Sequence, residues 1–170
     1  LFQSSGKQAL LGAVEETKQT SFEILCRFGL YKEHVVSGEG AAFFLVSGKR
    51  DQNTLGQLLA FDLVLSEPSD KPVFEVFSEF RERNRLIIEP RDFCLIGAGD
   101  QQRYEHAYLP LLSLFSEDNT IEFKAYCGEY PTAAAFALSL ALDLQQQNPA
   151  GKTWIINNYG KYWSFWCVSS

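Results

Sequence analysis

Residues Phe123 to Leu144 read FKAYCGEYPTAAAFALSLALDL, and every other part of the chain has to be arranged around them. Pro131 suits a helix start, because its missing N–H is one that a first turn leaves unpaired anyway. From Thr132 to Leu144 nearly every residue is a strong helix former, and only Asp143 carries charge. A surface helix has one apolar stripe; this one is apolar nearly all round, so it either spans a membrane or lies inside the protein. It has about thirteen residues, and a span needs roughly 20. The expectation is a core helix covered on every side, with Ala134 and Ala135 against a neighbouring backbone and Asn148-Pro149-Ala150-Gly151 as its stop. A helix buried all round implies a layer above and a layer below, most simply two sheets.

Downstream, Trp154–Asn157 and Trp163–Val168 read as two closing strands joined by a tight turn at Asn158-Tyr159-Gly160-Lys161, and so short a link makes them antiparallel. Upstream, Ile121–Lys124 reads as a short strand entering the central helix. Tyr104–Phe115 reads as an amphipathic helix with Leu109, Leu111, Leu112 and Phe115 inward. Asp92–Ala98 reads as a buried strand running into Gly97-Ala98-Gly99-Asp100. Val73–Arg85, opened by Pro72, is a second amphipathic helix after a turn at Ser66–Lys71, and Leu55–Leu65 is a long strand. From Leu55 the order is β-α-β-α-β-α-β-β, which implies an α/β fold with a mostly parallel sheet and right-handed crossovers. Further upstream, Gln8–Val14 is expected as a short buried strand. A polar loop or short helix follows it, with Phe22, Ile24, Leu25 and Phe28 apolar. Gly38-Glu39-Gly40-Ala41-Ala42 reads as a turn feeding the apolar strand Phe43–Val46, with Gly48–Asn53 as a polar hairpin loop.

With 170 residues, 46% of them hydrophobic, the chain is one domain or half of a larger one. A net charge of −6 argues against a nucleic-acid surface and against an anionic membrane surface. The four cysteines, Cys26, Cys94, Cys127 and Cys167, show no CxxC spacing; buried reduced thiols in a cytoplasmic protein are the favoured reading. His34 and His106 are far apart, so no metal site and no cofactor is expected. No signal peptide or membrane span is visible. The sequence holds no methionine, even at position 1, which suggests a processed chain or part of a longer product.

Four segments together resemble the C-terminal part of a β-ketoacyl synthase, a condensing enzyme of the thiolase fold. They are Leu10-Leu11-Gly12-Ala13-Val14-Glu15-Glu16; Gly38-Glu39-Gly40-Ala41-Ala42; Phe123-Lys124 with Cys127-Gly128-Glu129 and the Ala-rich helix; and Asn157-Asn158-Tyr159-Gly160. Each is weak alone, but they occur in register and in order along nearly the whole chain. The resemblance implies a layered fold with helices buried between two sheets. It assigns residues 1–54 to the end of an N-terminal half and 55–170 to the C-terminal βαβαβαββ half. It also implies acyl carrier protein as a partner, a catalytic ketosynthase subunit or an N-terminal half as another, and a dimer.

The same resemblance shows departures. The nucleophilic cysteine of the family belongs to the N-terminal half. The two histidines it expects fall on Ile96, before Gly97, and on Glu129, and the acidic residue further along falls on Leu138. The family's lysine is retained as Lys124. In the final turn, a gating Phe and two glycines become Lys161, Tyr162 and Trp163. Lys124 could hold a water or acidic partner near a thioester, or simply pair with Glu129 or Glu122. Glu129 could serve as a general base, or sit as an acid near the helix N-terminus, where the dipole favours it. A carboxylate repels an oxyanion that an imidazole donor would stabilise. Cys127 and Gly128 adjoin both, and a free Cys in a buried turn is inert. The expected function is a non-catalytic partner of chain-length-factor type in fatty-acid or polyene-type assembly. The alternatives are an active 3-oxoacyl-carrier-protein synthase whose cysteine lies in another half, and an α/β binding module unrelated to acyl chemistry.

Overall fold

The computed structural model describes residues 8–16, 18–27, 36–65, 71–97 and 101–170. Phe28, His34, residues 66–70 and residues 98–100, about which the sequence raised expectations, lie outside them. Two sheets are present among the described residues. The larger has β3 (Gln57–Leu65), β4 (Phe93–Gly97), β5 (Thr120–Glu122), β6 (Thr153–Tyr159) and β7 (Tyr162–Ser169), in the order β3-β7-β6-β4-β5. Strand β4 pairs in parallel with both β5 and β6, while β7 pairs antiparallel with β6 and β3, so the sheet is mixed. The smaller sheet is an antiparallel ribbon of β1 (Gln8–Glu15) and β2 (Gly40–Ser47).

Side-chain alternation gives the large sheet two apolar faces. Cys94, Ile96, Trp154, Ile156, Trp163 and Phe165 point to one face, where α2 (Val73–Arg83) brings Phe77 and Phe80, and α3 (Gln101–Leu112) brings Tyr108 and Leu111. Leu95, Ile155 and Val168 point to the other face, beneath α5 (Ala133–Gln147). At the N-terminal ends of β4 and β6, buried Asp92 accepts from the Trp154 indole at 2.9 Å and from the Lys152 backbone N–H at 2.8 Å, tying the two strands together. The hairpin between β6 and β7 turns on Gly160 and Lys161. Gly160 has φ 58°, a value that favours glycine at the first position of such a turn.

Helix α5 lies between the two sheets, against β4, β6 and β7 on one flank and β2 on the other. It is not covered on every side. Only Ala133, Ala137, Ala141 and Gln145 are buried, a stripe four residues apart that seats the helix closely on the large sheet. Ala134 and Ala135 are half-buried, because the ribbon is too narrow to enclose the opposite flank. For the same reason β1 is a strand but not a buried one: Leu10, Leu11 and Val14 are all exposed. Gly40, Ala41 and Ala42 belong to β2 rather than to a turn, and residues 48–53 link two different sheets rather than closing a hairpin. In α3, Tyr108 takes the inward position and Leu109 is exposed, since 108, 111, 112 and 115 share one helical phase. Lys124 opens a short helical turn, α4 (Lys124–Cys127), rather than ending a strand. No helix among the described residues is long and apolar enough to cross a membrane.

Candidate functional site

The C-terminal ends of β4, β5 and β6 converge on one place, the position where parallel sheets gather functional groups. The Phe123 N–H donates to the Ile96 carbonyl at 3.1 Å, anchoring the end of β5 to β4, and the Phe123 ring is fully buried. The chain then turns through α4, and the Lys124 carbonyl accepts from the Gly128 N–H at 2.8 Å. Gly128 has φ 77°, in the left-handed region where only glycine is unstrained. Gly38 lies against this turn so closely that a Cβ on it would fall 1.9 Å from the Cys127 carbonyl oxygen. Glu129 then runs alongside residues 36–38: its N–H donates to the Val36 carbonyl at 2.7 Å, and its carbonyl accepts from the Gly38 N–H at 3.1 Å.

These constraints place Lys124 and Glu129 together. The Lys124 ammonium meets Glu129 Oε2 at 2.6 Å, with side chains only 5% and 17% exposed. It also donates to the carbonyl of Asn158, at the end of β6. Burial pulls the Lys124 pKa below its ordinary 10.5, and the Glu129 carboxylate opposes that pull. Cys127, beside them, shares a hydrogen bond with Tyr130; burial outweighs this and Lys124's attraction and pushes the thiol above its ordinary 9.0. The Tyr130 hydroxyl is itself pushed up to about 12 by burial. Asn157, one residue before Asn158 and 5% exposed, has a buried Oδ1 with no hydrogen-bond partner among the described residues. That oxygen lies 2.5 Å from where a Cβ on Gly97 would sit.

Lys124, Cys127, Gly128 and Glu129 are therefore one cluster, with Gly97 next to it across Phe123. Ile96 and Trp163 are elsewhere: both point to the α2–α3 face of the sheet, where Trp163 packs on Tyr108 with ring centroids 5.1 Å apart. Lys161 is exposed in the hairpin turn, and His106 is exposed on α3. The sequence reading quoted Asn157 and Asn158 but did not nominate them. Their signal was two consecutive amides in a strand otherwise apolar on both faces, which must be answered by hydrogen bonds once buried. Beside the cluster a cavity of about 260 Å³ opens between ribbon and helix, lined by Ala13, Gly40, Ala42, Cys127, Tyr130 and Ala135 among others.

Chemically, the cluster is a neutralised ion pair with its hydrogen bonds turned inward. It can order a backbone or a small polar group. An ammonium held by a carboxylate is a poor nucleophile, and a thiol with a raised pKa holds little thiolate at neutral pH.

No protein-family model and no curated protein matches the chain. Solved structures do match its fold. The ishigamide ketosynthase/chain length factor superposes with a TM-score of 0.67 at 13% identity, over 95% of this chain and 48% of that one. The tetronic acid condensing enzyme AbyA1 gives 0.65 at 11% identity, over 96% and 59%. The 3-oxoacyl-(acyl carrier protein) synthase III FabH of Pseudomonas aeruginosa PAO1 gives 0.59 at 13%, over 95% and 57%. The chain has the thiolase-like α/β fold of these condensing enzymes and spans about half their length.

Proposed function

We propose that the chain is a ketosynthase-like subunit, non-catalytic by itself and of chain-length-factor type, that works with acyl-carrier-protein thioesters in fatty-acid or polyene-type assembly. The observation that carries this reading is the closed Lys124–Glu129 pair: the retained lysine is spent on a carboxylate and on the Asn158 carbonyl. Condensation needs an activated thiolate and donors aimed at a developing oxyanion. Here the thiol beside the lysine is raised, and the nearest acid is of the wrong charge for an oxyanion. The fold shared with condensing enzymes supports the acyl-thioester context, and the chemistry of the cluster supports the non-catalytic role.

The test is to incubate the chain with an acyl-carrier-protein thioester and malonyl carrier protein, and to follow the protein by intact mass. No acyl adduct and no 3-ketoacyl product are expected. An adduct on Cys127, or product above that of a Lys124→Ala control, would make the chain an enzyme.

A further inference from the structure

Near the β6–β7 hairpin the large sheet changes composition. The register sets Gly97, Asn157, Ser164 and Leu63 side by side on β4, β6, β7 and β3. Because side chains alternate along a strand, these positions share the face beneath α5 with Leu95, Ile155 and Val168. On one side of this row the same face carries Leu95, Ile155 and Trp166; on the hairpin side it carries Tyr159 and Tyr162. Asn157 and Ser164 are therefore two small polar side chains between rows of large ones, and they are 5% and 6% exposed. Directly opposed residues of an antiparallel pair have Cβ atoms about 4.5–5.5 Å apart. Yet Asn157 Oδ1 and Ser164 Oγ do not bond each other, and neither has another hydrogen-bond partner among the described residues. Trp166 Nε1, on the same face of β7, is a third buried polar atom in that condition.

Buried polar groups left unanswered are costly, and the great majority in folded proteins are answered. What can answer these is set by their chemistry. The amide oxygen only accepts, the indole N–H only donates, and the hydroxyl does both. That set fits a neutral molecule that donates and accepts at once. A cation would meet the indole N–H, and an anion would meet the amide oxygen. Lys124, held on the carbonyl of the next residue, Asn158, supplies no free charge, because Glu129 neutralises it. The molecule is also small. Gly97 adds no side chain, but the place where its Cβ would stand lies 2.6 Å from the Phe123 ring and 2.5 Å from Asn157 Oδ1, so the row is closed on that side. A buried water answers groups of this kind when it has two or more polar partners.

We propose that Asn157 and Ser164 form a binding site for one internal water molecule, which donates to Asn157 Oδ1 and accepts from the Ser164 hydroxyl. The site fixes the end of β6 one residue before the Asn158 carbonyl that receives Lys124. The test counts long-lived waters in the full chain by oxygen-17 magnetic relaxation dispersion. The double variant Asn157→Leu/Ser164→Val, apolar at both positions, should hold one long-lived water fewer than the wild type. Ser139→Ala is the control: its hydroxyl already donates to the Ala135 carbonyl, and its loss should leave the count unchanged. If the double variant loses its circular-dichroism spectrum, the wild type alone decides. Water-selective nuclear Overhauser spectra should then show cross-peaks from water to the Ser164 β protons and to the Asn157 side-chain amide. Equal counts in wild type and double variant, spectra without those cross-peaks, or a crystal structure with a direct Asn157–Ser164 hydrogen bond would overturn the proposal. None of these measurements involves an acyl thioester, so this site and the function proposed above can fail separately.

Discussion

Strand β4 reads FCLIG and strand β2 reads GAAFFLVS, two runs with apolar residues on both faces. In β4, Cys94, Leu95 and Ile96 are buried, because α2 and α3 lie on one face and α5 on the other. In β2, Phe43 and Leu45 are exposed, because α5 reaches only the alternate side chains. A run apolar on both faces therefore states that a strand needs cover on both faces; it does not state that the same chain provides it. Among the described residues, cover closes over β4, β6 and β7, while the outer face of the ribbon and most of β3 stay open.

The largest expected difference follows from that contrast. Trp154 is fully buried, packs edge-on to Phe77 at 5.7 Å and holds Asp92 Oδ2 through its indole at 2.9 Å. Trp154→Ala should cost about 3–5 kcal/mol in denaturant unfolding, toward the top of that range because of the second role. Leu10→Ala, on the open face of the ribbon, should stay within about 0.5 kcal/mol. A large loss from Leu10→Ala in the isolated chain would mean that the ribbon is covered after all.

The Lys124–Glu129 pair joins the two regions, since Glu129 also bonds the backbone of residues 36–38 that leads into β2. Lys124→Met would leave a buried carboxylate without its cation and should cost about 3–5 kcal/mol. Adding Glu129→Gln should recover most of the loss. Hydrogen exchange sharpens the comparison: in the single variant, protection should fall first in β2 and only later in β6 and β7. Loss confined to β6 and β7, with β2 unchanged, would show that the pair serves the large sheet alone.

The fold was legible where local pattern and tertiary cover agree. The order of elements from Leu55, the amphipathic phase of α2 and the antiparallel closing hairpin all follow from spacing and turn residues, and the structure has each of them. What was not legible is cover. The Ala-Leu run of α5 looks symmetric in sequence, yet one stripe meets a sheet of five strands and the opposite flank meets two. In the site, the closeness of Lys124 and Glu129 was readable from their five-residue separation around a glycine. The Asn158 carbonyl was not, because it arrives from 34 residues away through the parallel pairing of β4 and β6. Nor was the placement of Ile96 and Trp163 on the far face, which depends on the strands' registers rather than on their motifs.

Alkaline pH separates the regions by their thiols. Cys94 and Cys167 are buried in the large sheet, whereas Cys26 on α1 (Gln19–Arg27) is exposed. Burial pushes the Cys167 thiol from 9.0 up to about 12. A raised acid pKa means that the native state favours the neutral thiol. Its contribution is complete below pH 9 and is lost as pH rises toward the folded value, at about 1.4 kcal/mol per unit. Between pH 9 and 11 the wild-type chain should therefore lose roughly 2–3 kcal/mol more than Cys167→Ala. Taking this difference cancels the opposite drift from Lys124, whose lowered pKa makes the native state relatively more favourable as pH rises. Equal slopes in the two proteins would place Cys167 in contact with water.

The smallest contrast lies within α5 itself, where Ala137 and Ala135 differ by half a turn. Ala137 is fully buried on the stripe that meets Leu95, Ile155 and Val168. A leucine there has no room and must lift the helix from the sheet, at about 1–3 kcal/mol. Ala135 faces the ribbon and lines the cavity of about 260 Å³. A leucine there can enter open space and bury part of its own apolar surface, so Ala135→Leu should be neutral or raise the melting temperature slightly. Paired melting curves decide between the flanks: equal losses would mean that the ribbon holds α5 as tightly as the large sheet does. If Ala135→Leu alone were destabilising, the tight flank would be the one facing the ribbon, and the assignment of α5's buried stripe to the large sheet would have to be reversed.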